Sequence, residues 1–396
     1  MKTKSLLAAL GLLSLCSIVS SCGQQEEQKT SNNPHAYVTN IENVKMITSL
    51  NELDPDRLYE MNYTADYKLD KLIESNVTDI GSLVKFVSED LFDVMPDITV
   101  VPSFSSGCSA YAATETSRGD FLMGRNYDYC HVEKGVEVPI TALFVRTAPE
   151  GGKKSIAMVD TYWLGYHKGF YNDGVSDLSM LMAAPYEILD GINESGFAIC
   201  VLHLEGKATI QNDPEKQTLW TNIMMRKVLD NASTVEEALE IVKDFNVTMV
   251  TPASGNFHFF LADATGDYAI LEYSYDDADS VNETLPNTMK VFKGEDCDRY
   301  VTNFYVDPAL AEHPKLGPLG KHGLWRYDTL KANLTRYNYR LTDEQAIDLL
   351  RSVSQGSNPN ENTSHTQWSA LYNLTQKKVD ISILQEFEKN FTFKVE

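Results

Sequence analysis

The residues whose types and spacing could do chemistry are Gly107-Cys108-Ser109 and, a short way on, Gly124-Arg125-Asn126-Tyr127-Asp128. A free thiol has a pKa near 8.5, so at neutral pH it is only slightly ionised and needs a base before it attacks. A cut between Gly107 and Cys108 would supply that base within one residue. The new α-amino group, with an ordinary pKa of about 7.7–8, would lie close to the sulfur. It could take the thiol proton and later deliver it to a leaving amine, with no histidine partner required. Gly107 suits such a cut, because a residue without Cβ tolerates the strained backbone that presents its carbonyl to the thiol. The pattern points to amide cleavage through an acyl-enzyme on Cys108. No metal or organic cofactor is needed: the eight histidines form no HExxH, and Cys130, Cys200 and Cys297 form neither a CxxC motif nor a disulfide framework.

Such a nucleophile must sit on elements that hold it still. Ser109 to Thr114 and Phe121 to Tyr129 read as two strands joined by a turn at Ser117-Arg118-Gly119-Asp120. Arg125 and Asp128 have opposite parity, so a regular strand points them to opposite faces. Both can serve one site only if the strand bends or ends near Asn126. Upstream, Leu83, Val84, Val87, Leu91 and Val94 predict a helix over 80–95, so the segment before Cys108 is folded rather than disposable. Ile192 to Leu204 reads as strand opened by Asn193-Glu194-Ser195-Gly196. Helices are expected over Trp220 to Leu229 and from a capping box at Ser233-Thr234-Val235-Glu236 to about Asp244. A hairpin over Phe257 to Tyr273, a helix opening at Thr342-Asp343-Glu344-Gln345 and a last hairpin over Trp368 to Leu384 complete the pattern. Strands in pairs followed by helices in pairs predict an α+β chain with helices stacked on antiparallel sheets. Tyr162, Trp163, Tyr166, Phe170 and Tyr171 form an aromatic cluster that reads as core rather than as a substrate wall.

In order along the chain, these segments resemble the N-terminal-nucleophile hydrolases of the choloylglycine hydrolase group. That group includes bile salt hydrolases, penicillin V acylases, and the related acid ceramidases and N-acylethanolamine acid amidases. The resemblance rests on the Cys108-Ser109 strand opening and on Gly124-Arg125-Asn126-Tyr127-Asp128. It continues through Asp190-Gly191-Ile192-Asn193-Glu194-Ser195-Gly196 and the Asp263-Ala264-Thr265-Gly266 turn. Val301-Thr302-Asn303, Trp325-Arg326-Tyr327 and Thr366-Gln367-Trp368-Ser369 extend it to about Leu384. It implies a four-layer αββα sandwich. It implies that Asp128 holds the α-amino group, that Arg125 and Arg326 frame the nucleophile electrostatically, and that the Asn303 amide donates to the oxyanion. Loss of one such donor typically costs about 10²–10³ in rate. His203 stands where bile salt hydrolases have Asn and penicillin V acylases often Tyr. The resemblance gives it an oxyanion-hole backbone N–H, and a side chain facing the bound acyl or amine group. The substrate class implied is a linear N-acyl amide with a large apolar acyl part, such as a fatty acyl or steroid acyl group. The rival readings are transfer of the acyl group to an amine, and a surface lipoprotein that binds apolar amides without turnover. Papain-like chemistry has no supporting segment.

The start of the chain reads as an export signal. Lys2 and Lys4 precede an apolar stretch, Leu6 to Val19, too short for a membrane span. Val19-Ser20-Ser21-Cys22 resembles a bacterial lipobox, so Cys22 is the expected lipid attachment and residues 1–21 the signal peptide. Residues 22–34 form a polar tether. Residues 35–107 are a pre-nucleophile segment, propeptide or small subunit, and 108–396 the hydrolase domain. The protein is therefore expected to be exported and to meet a membrane only through its anchor. A formal net charge of −22 opposes nucleic-acid binding. A homo-oligomer is allowed by the resemblance and shown by no residue.

Overall fold

The computed structural model describes residues 46, 49–91, 106–133, 136–138, 140–174, 178–249, 255–275, 286–314, 316–317, 323–356 and 365–396. The expected signal peptide, Cys22 and the expected tether lie outside the described residues. Among the described residues, two large sheets dominate. Sheet I runs Asn51–Asp54, Leu58–Tyr63, Ala142–Thr147, Ser155–Asp160, Ile188–Asn193, Ala198–Leu204, Asn256–Ala262, Tyr268–Ser274, Thr288–Phe292. Sheet II runs Tyr300–Val301, Ser106–Glu115, Phe121–Tyr129, His365–Asn373, Lys378–Ile383, Asn390–Lys394, with Arg340–Leu341 also on the Ser106–Glu115 edge.

Helices Thr221–Asn231 and Val235–Lys243 cover sheet I, the first packing on Ile188–Asn193 and Ala198–Leu204. Helices Leu324–Arg336 and Asp343–Ser352 pack on the Ser106–Glu115, Phe121–Tyr129 and His365–Asn373 strands of sheet II. The two sheets meet where Ala198–Leu204 and Asn256–Ala262 touch Ser106–Glu115. The order is helix, sheet, sheet, helix: an αββα sandwich. Parity sorts the side chains of sheet II. Cys108, Ala110, Met123 and Tyr127 join the core between the sheets, whereas Tyr111, Ala113 and Leu122 meet Leu330, Leu334 and Leu349 on the helix side.

The chain before Cys108 is built into sheet I. Leu58–Tyr63 runs parallel to Ala142–Thr147 over six paired residues, Leu58 with Ala142 through Tyr63 with Thr147. Tyr67 donates to Asp230 Oδ2 at 2.6 Å, and Asp230 is paired with Arg226 at 2.5 Å, all buried. The expected upstream helix is Ile80–Phe86, opened by an Asp79/Ser82 capping box, and a π-helical turn continues it over Val87–Leu91; the rest of that expectation lies outside the described residues. The helix expected from Ser233 starts at Val235. Thr234 caps it, accepting the Glu237 N–H, while Glu237 reaches back to the Ser233 N–H at 2.6 Å, so the cap sits one residue later than the spacing suggested and the reciprocal bond goes to the residue before it. Thr342 and Gln345 form the reciprocal box that was expected.

A buried carboxyl lies beneath the Thr221–Asn231 helix. Burial raises the pKa of Glu187 to about 8, against the hydrogen bond it accepts from Asn222 at 2.7 Å. The folded form then holds a proton that the unfolded chain releases near its ordinary 4.5, so this group makes stability fall as pH rises from about 4.5 to about 8. Glu187→Gln keeps the acceptor for Asn222 and removes the titration. Its stability gain over wild type, measured by urea unfolding, is expected to grow across that pH window and level off above it. A pH-independent difference would contradict the assignment.

Candidate active site

Cys108 sits in the strand Ser106–Glu115, 3% exposed, directly opposite Tyr127 of Phe121–Tyr129. Gly107 precedes it in the same strand, paired to Asp128. Two side chains take hold of the Cys108 peptide groups. The Cys108 N–H donates to Asn303 Oδ1 at 2.6 Å. Arg326 Nη1 donates to the Cys108 carbonyl, and to Ser109 Oγ at 3.0 Å. Arg326 Nη2 also donates to Asn303 Oδ1, at 2.8 Å. Two donors on one atom leave no doubt that it is the oxygen. The amide nitrogen of Asn303 then donates to the His203 carbonyl at 2.8 Å. One hydrogen-bonded chain thus joins Arg326, Cys108, Asn303 and His203.

Asp128 is fully buried and lies within this network. Its carboxylate accepts from Thr366 Oγ1 at 2.6 Å and Gln355 Nε2 at 2.8 Å, and Arg326 Nη1 stands 3.5 Å away. Burial raises its pKa, opposed by Arg326, Thr366, Gln355 and Arg125. Asp128 pairs with the residue before Cys108, while the Cys108 N–H itself goes to Asn303.

Arg125 approaches from the other face. It is fully buried, donating through Nη2 to the Val201 carbonyl at 2.8 Å and through Nη1 to the Asn126 carbonyl. Its Nε lies 3.7 Å from Asp190 Oδ2. Burial disfavours its charge, but its neighbours, Cys108 first and then Cys200 and Asp190, outweigh that and raise its pKa above the ordinary arginine value. Asp190 is itself bonded by Trp368 Nε1 at 2.9 Å and by the Tyr372 hydroxyl. A desolvated cation at that position stabilises negative charge that develops on the sulfur.

The parity condition resolves without a bend. Phe121–Tyr129 keeps regular register with Ser106–Glu115 past Asn126; the irregularity lies in the partner strand, between Thr366 and Trp368. Arg125 and Asp128 do occupy opposite faces. The site takes Arg125 from the inter-sheet face, and Arg326 carries the link to Asp128 from the helix side.

His203 lies in Ala198–Leu204, half-buried, its ring edge-on to Phe257 at 5.7 Å. Its contact with Asn303 is through its carbonyl. Cys130 and Cys200 are buried, and burial pushes Cys200 up to about 12.

Several site residues carried no sequence signal. Gln355 follows a helix end, and Asp160, His131 and Tyr127 form a buried cluster, with the Tyr127 hydroxyl and His131 Nε2 3.0 and 2.6 Å from Asp160 Oδ2. The aromatic cluster expected as core reaches this cluster: Tyr162 stacks on His131 at 3.7 Å, and Trp163 donates to the Tyr127 hydroxyl at 3.3 Å. Tyr127, across from Cys108, also stacks on Trp368 at 4.1 Å.

Residues 108–284 match the family described as linear amide C-N hydrolases, choloylglycine hydrolase family. No curated protein sequence matches the chain. Among solved structures, the penicillin V acylase from Agrobacterium tumefaciens has 18% identity and a TM-score of 0.45, over 70% of this chain and 83% of its own. A mutant conjugated bile acid hydrolase from Clostridium perfringens has 16% identity and a TM-score of 0.45, over 72% of this chain and 92% of its own.

The placement of Arg125 generates a direct test. Arg125→Met is expected to slow iodoacetamide alkylation of Cys108 at pH 7, followed by peptide mass spectrometry, by about tenfold. Arg125→Lys, which keeps the charge, should slow it less. An unchanged rate in folded Arg125→Met would exclude the electrostatic role.

Proposed function

We propose that this chain, whose residues 108–284 match the linear amide C–N hydrolases of the choloylglycine hydrolase family, is a self-processing amidase whose nucleophile is Cys108. The observation that carries this reading is the grip on the Cys108 peptide: its N–H on Asn303, its carbonyl on Arg326, with a buried cation on each side.

In self-processing, the Cys108 sulfur attacks the Gly107 carbonyl carbon and the Gly107–Cys108 C–N bond breaks. The chain nitrogen leaves as the α-amine of Cys108, and water hydrolyses the thioester to a Gly107 carboxylate. In turnover, the α-amine takes the thiol proton, and the thiolate attacks the carbonyl carbon of the substrate amide. The ammonium returns its proton to the leaving amine. Water then hydrolyses the acyl-thioester, so one amide and one water give a carboxylic acid and an amine. Asn303 and the backbone N–H at His203 are the proposed oxyanion donors, and Asp128 the group that steadies the α-amine.

The proposed acyl group is apolar, since Cys108 belongs to the apolar core between the sheets, with Met123, Tyr127 and Trp368 on the neighbouring strands. A fatty acyl or steroid acyl amide is the proposed substrate class. Cleavage leaves the pre-nucleophile segment attached, because its ladder is in sheet I whereas the cut bond is in sheet II. Attachment through a lipid on Cys22 completes the proposal, resting on the lipobox-like sequence alone.

Wild type is expected to run as two fragments on a denaturing gel and as one species in native size exclusion. It should release amine from at least one of taurine and glycine bile conjugates, N-acylethanolamines, N-acyl amino acids or penicillin V. Cys108→Ala should stay a single chain by intact mass and release none. Amine release by an uncut Cys108→Ala chain would end the proposal. Cys22→Ala should move the protein from the detergent to the aqueous phase in Triton X-114 partitioning; unchanged partitioning would remove the anchor.

A further inference from the structure

The hairpin Asn256–Ala262/Tyr268–Ser274 sets His258 directly opposite Glu272, and both are fully buried. Further along the same hairpin the cross-strand pairs are apolar, Phe260 with Ile270 and Leu261 with Ala269. An ionisable pair in such a place contributes less to stability than a well-packed apolar pair of similar volume often does. Its hydrogen bonds lead to one place. His258 Nε2 donates to the Thr302 carbonyl at 2.6 Å; a carbonyl only accepts, so this nitrogen carries a proton. The other ring nitrogen, Nδ1, faces Glu272 Oε1 at 3.0 Å. Glu272 in turn accepts the backbone N–H of Val306 at 2.8 Å and of Asp307 at 3.0 Å, one on each oxygen. Thr302 and Asp307 bracket the loop that carries Asn303.

We propose that His258 and Glu272 are positioning residues, a buried imidazole–carboxylate clamp that holds the 302–307 loop at both ends and so sets Asn303 against Cys108. This rests on the reading of Asn303 as a working group at Cys108. Asn303 is next in sequence to the clamped carbonyl, so a shift of Thr302 moves it directly. Lost precision of about 1 Å at such a group can cost about 10²-fold in rate. Lys290, 2.5 Å from Asp307, and Asn256, 2.7 Å from the Tyr305 hydroxyl, support the far side of the loop without reaching Thr302.

The test uses the full chain and needs no substrate. Self-cleavage at Gly107–Cys108 is timed by intact mass in wild type, Asn303→Ala, His258→Gln, Glu272→Gln and the double variant His258→Gln/Asn303→Ala. Unfolding temperature is measured alongside. Each single variant is expected to cut about 10–100-fold more slowly than wild type. The double variant should be no slower than Asn303→Ala within about twofold, because a clamp acting through Asn303 has nothing left to position. Multiplying slowdowns, as an independent structural role would give, overturn the clamp, as does normal cleavage by both hairpin variants while Asn303→Ala is slow. Normal cleavage by Asn303→Ala overturns instead the reading on which the clamp rests. If wild type itself never cuts, the self-processing reading fails, and the iodoacetamide rate at Cys108 is read across the same variants with the same criteria.

Discussion

The buried guanidinium of Arg326 is the interaction on which the rest of the site depends. It donates to the Cys108 carbonyl, Ser109 and Asn303, and faces Asp128 at 3.5 Å, from a position only 1% exposed. A cation removed from water is tolerable only when charge and hydrogen bonds replace its hydration. Asp128, fully buried as well, supplies the charge, and three acceptors supply much of the rest. Its location makes the requirement stricter. Arg326 lies in the first turn of Leu324–Arg336, where the helix dipole opposes a positive charge. Asp128 therefore offsets both burial and dipole. The turn before the helix is fitted to the same purpose: Gly323 has φ +78°, and a Cβ there would fall 2.9 Å from Thr302 Oγ1 and 3.0 Å from Arg326 Nη2. Glycine satisfies the dihedral and leaves the arginine its room.

Around that centre, charge alternates through the layers. Arg125 sits on the inter-sheet face with Asp190, and Arg326 on the helix face with Asp128. The strand Ser106–Glu115 passes between the two pairs, so Cys108 meets positive charge from both sides while each arginine keeps a carboxylate of its own. Arg125, Asp190 and Asp128 are fully inaccessible and Arg326 nearly so. In that setting the fields act at short range and with little screening, and they are fixed before any ligand arrives. The acidic surface, which dominates the net charge, has no such proximity to the thiol.

The motif residues were legible because chemistry constrains them locally. Cys108, Arg125 and Asp128 lie within two neighbouring strands, and the turn at Ser117–Asp120 announced their pairing. The sandwich itself was legible in outline from paired strands and paired helices. Ala142–Thr147 and Ser155–Asp160 went unread because central strands covered on both faces are continuously apolar and lack the period-two signal. Leu324–Arg336 went unread as a helix because only Arg326, Leu330 and Leu334 are buried along it, a narrow stripe around a charged residue. Leu58–Tyr63 joins the sheet by a parallel pairing with a strand far along the chain, which no local pattern reports. The partners of Asp128 were hidden for the same reason: Gln355 and Thr366 come from the far end of the sequence, and only the fold brings them to the carboxylate.

Asn303 shows why contacts of this range matter more than the motif that contains the residue. An amide side chain is nearly symmetric in shape, and on its own could present either oxygen or nitrogen to Cys108. Here the choice is made twice over, by the Cys108 N–H and by Arg326, both on Oδ1, and the nitrogen is left to face the His203 carbonyl. The orientation is thus imposed by the protein and not by a ligand, which is the condition for a donor to act without reorganisation when charge develops. Reversing the amide would set two N–H groups against the donors of Cys108 and Arg326, and leave a carbonyl facing a carbonyl. Such an arrangement loses several buried hydrogen bonds at once. The three-residue motif Val301-Thr302-Asn303 marks the place of this side chain. Its direction is written by Arg326, twenty-three positions later, and by the strand that carries Cys108.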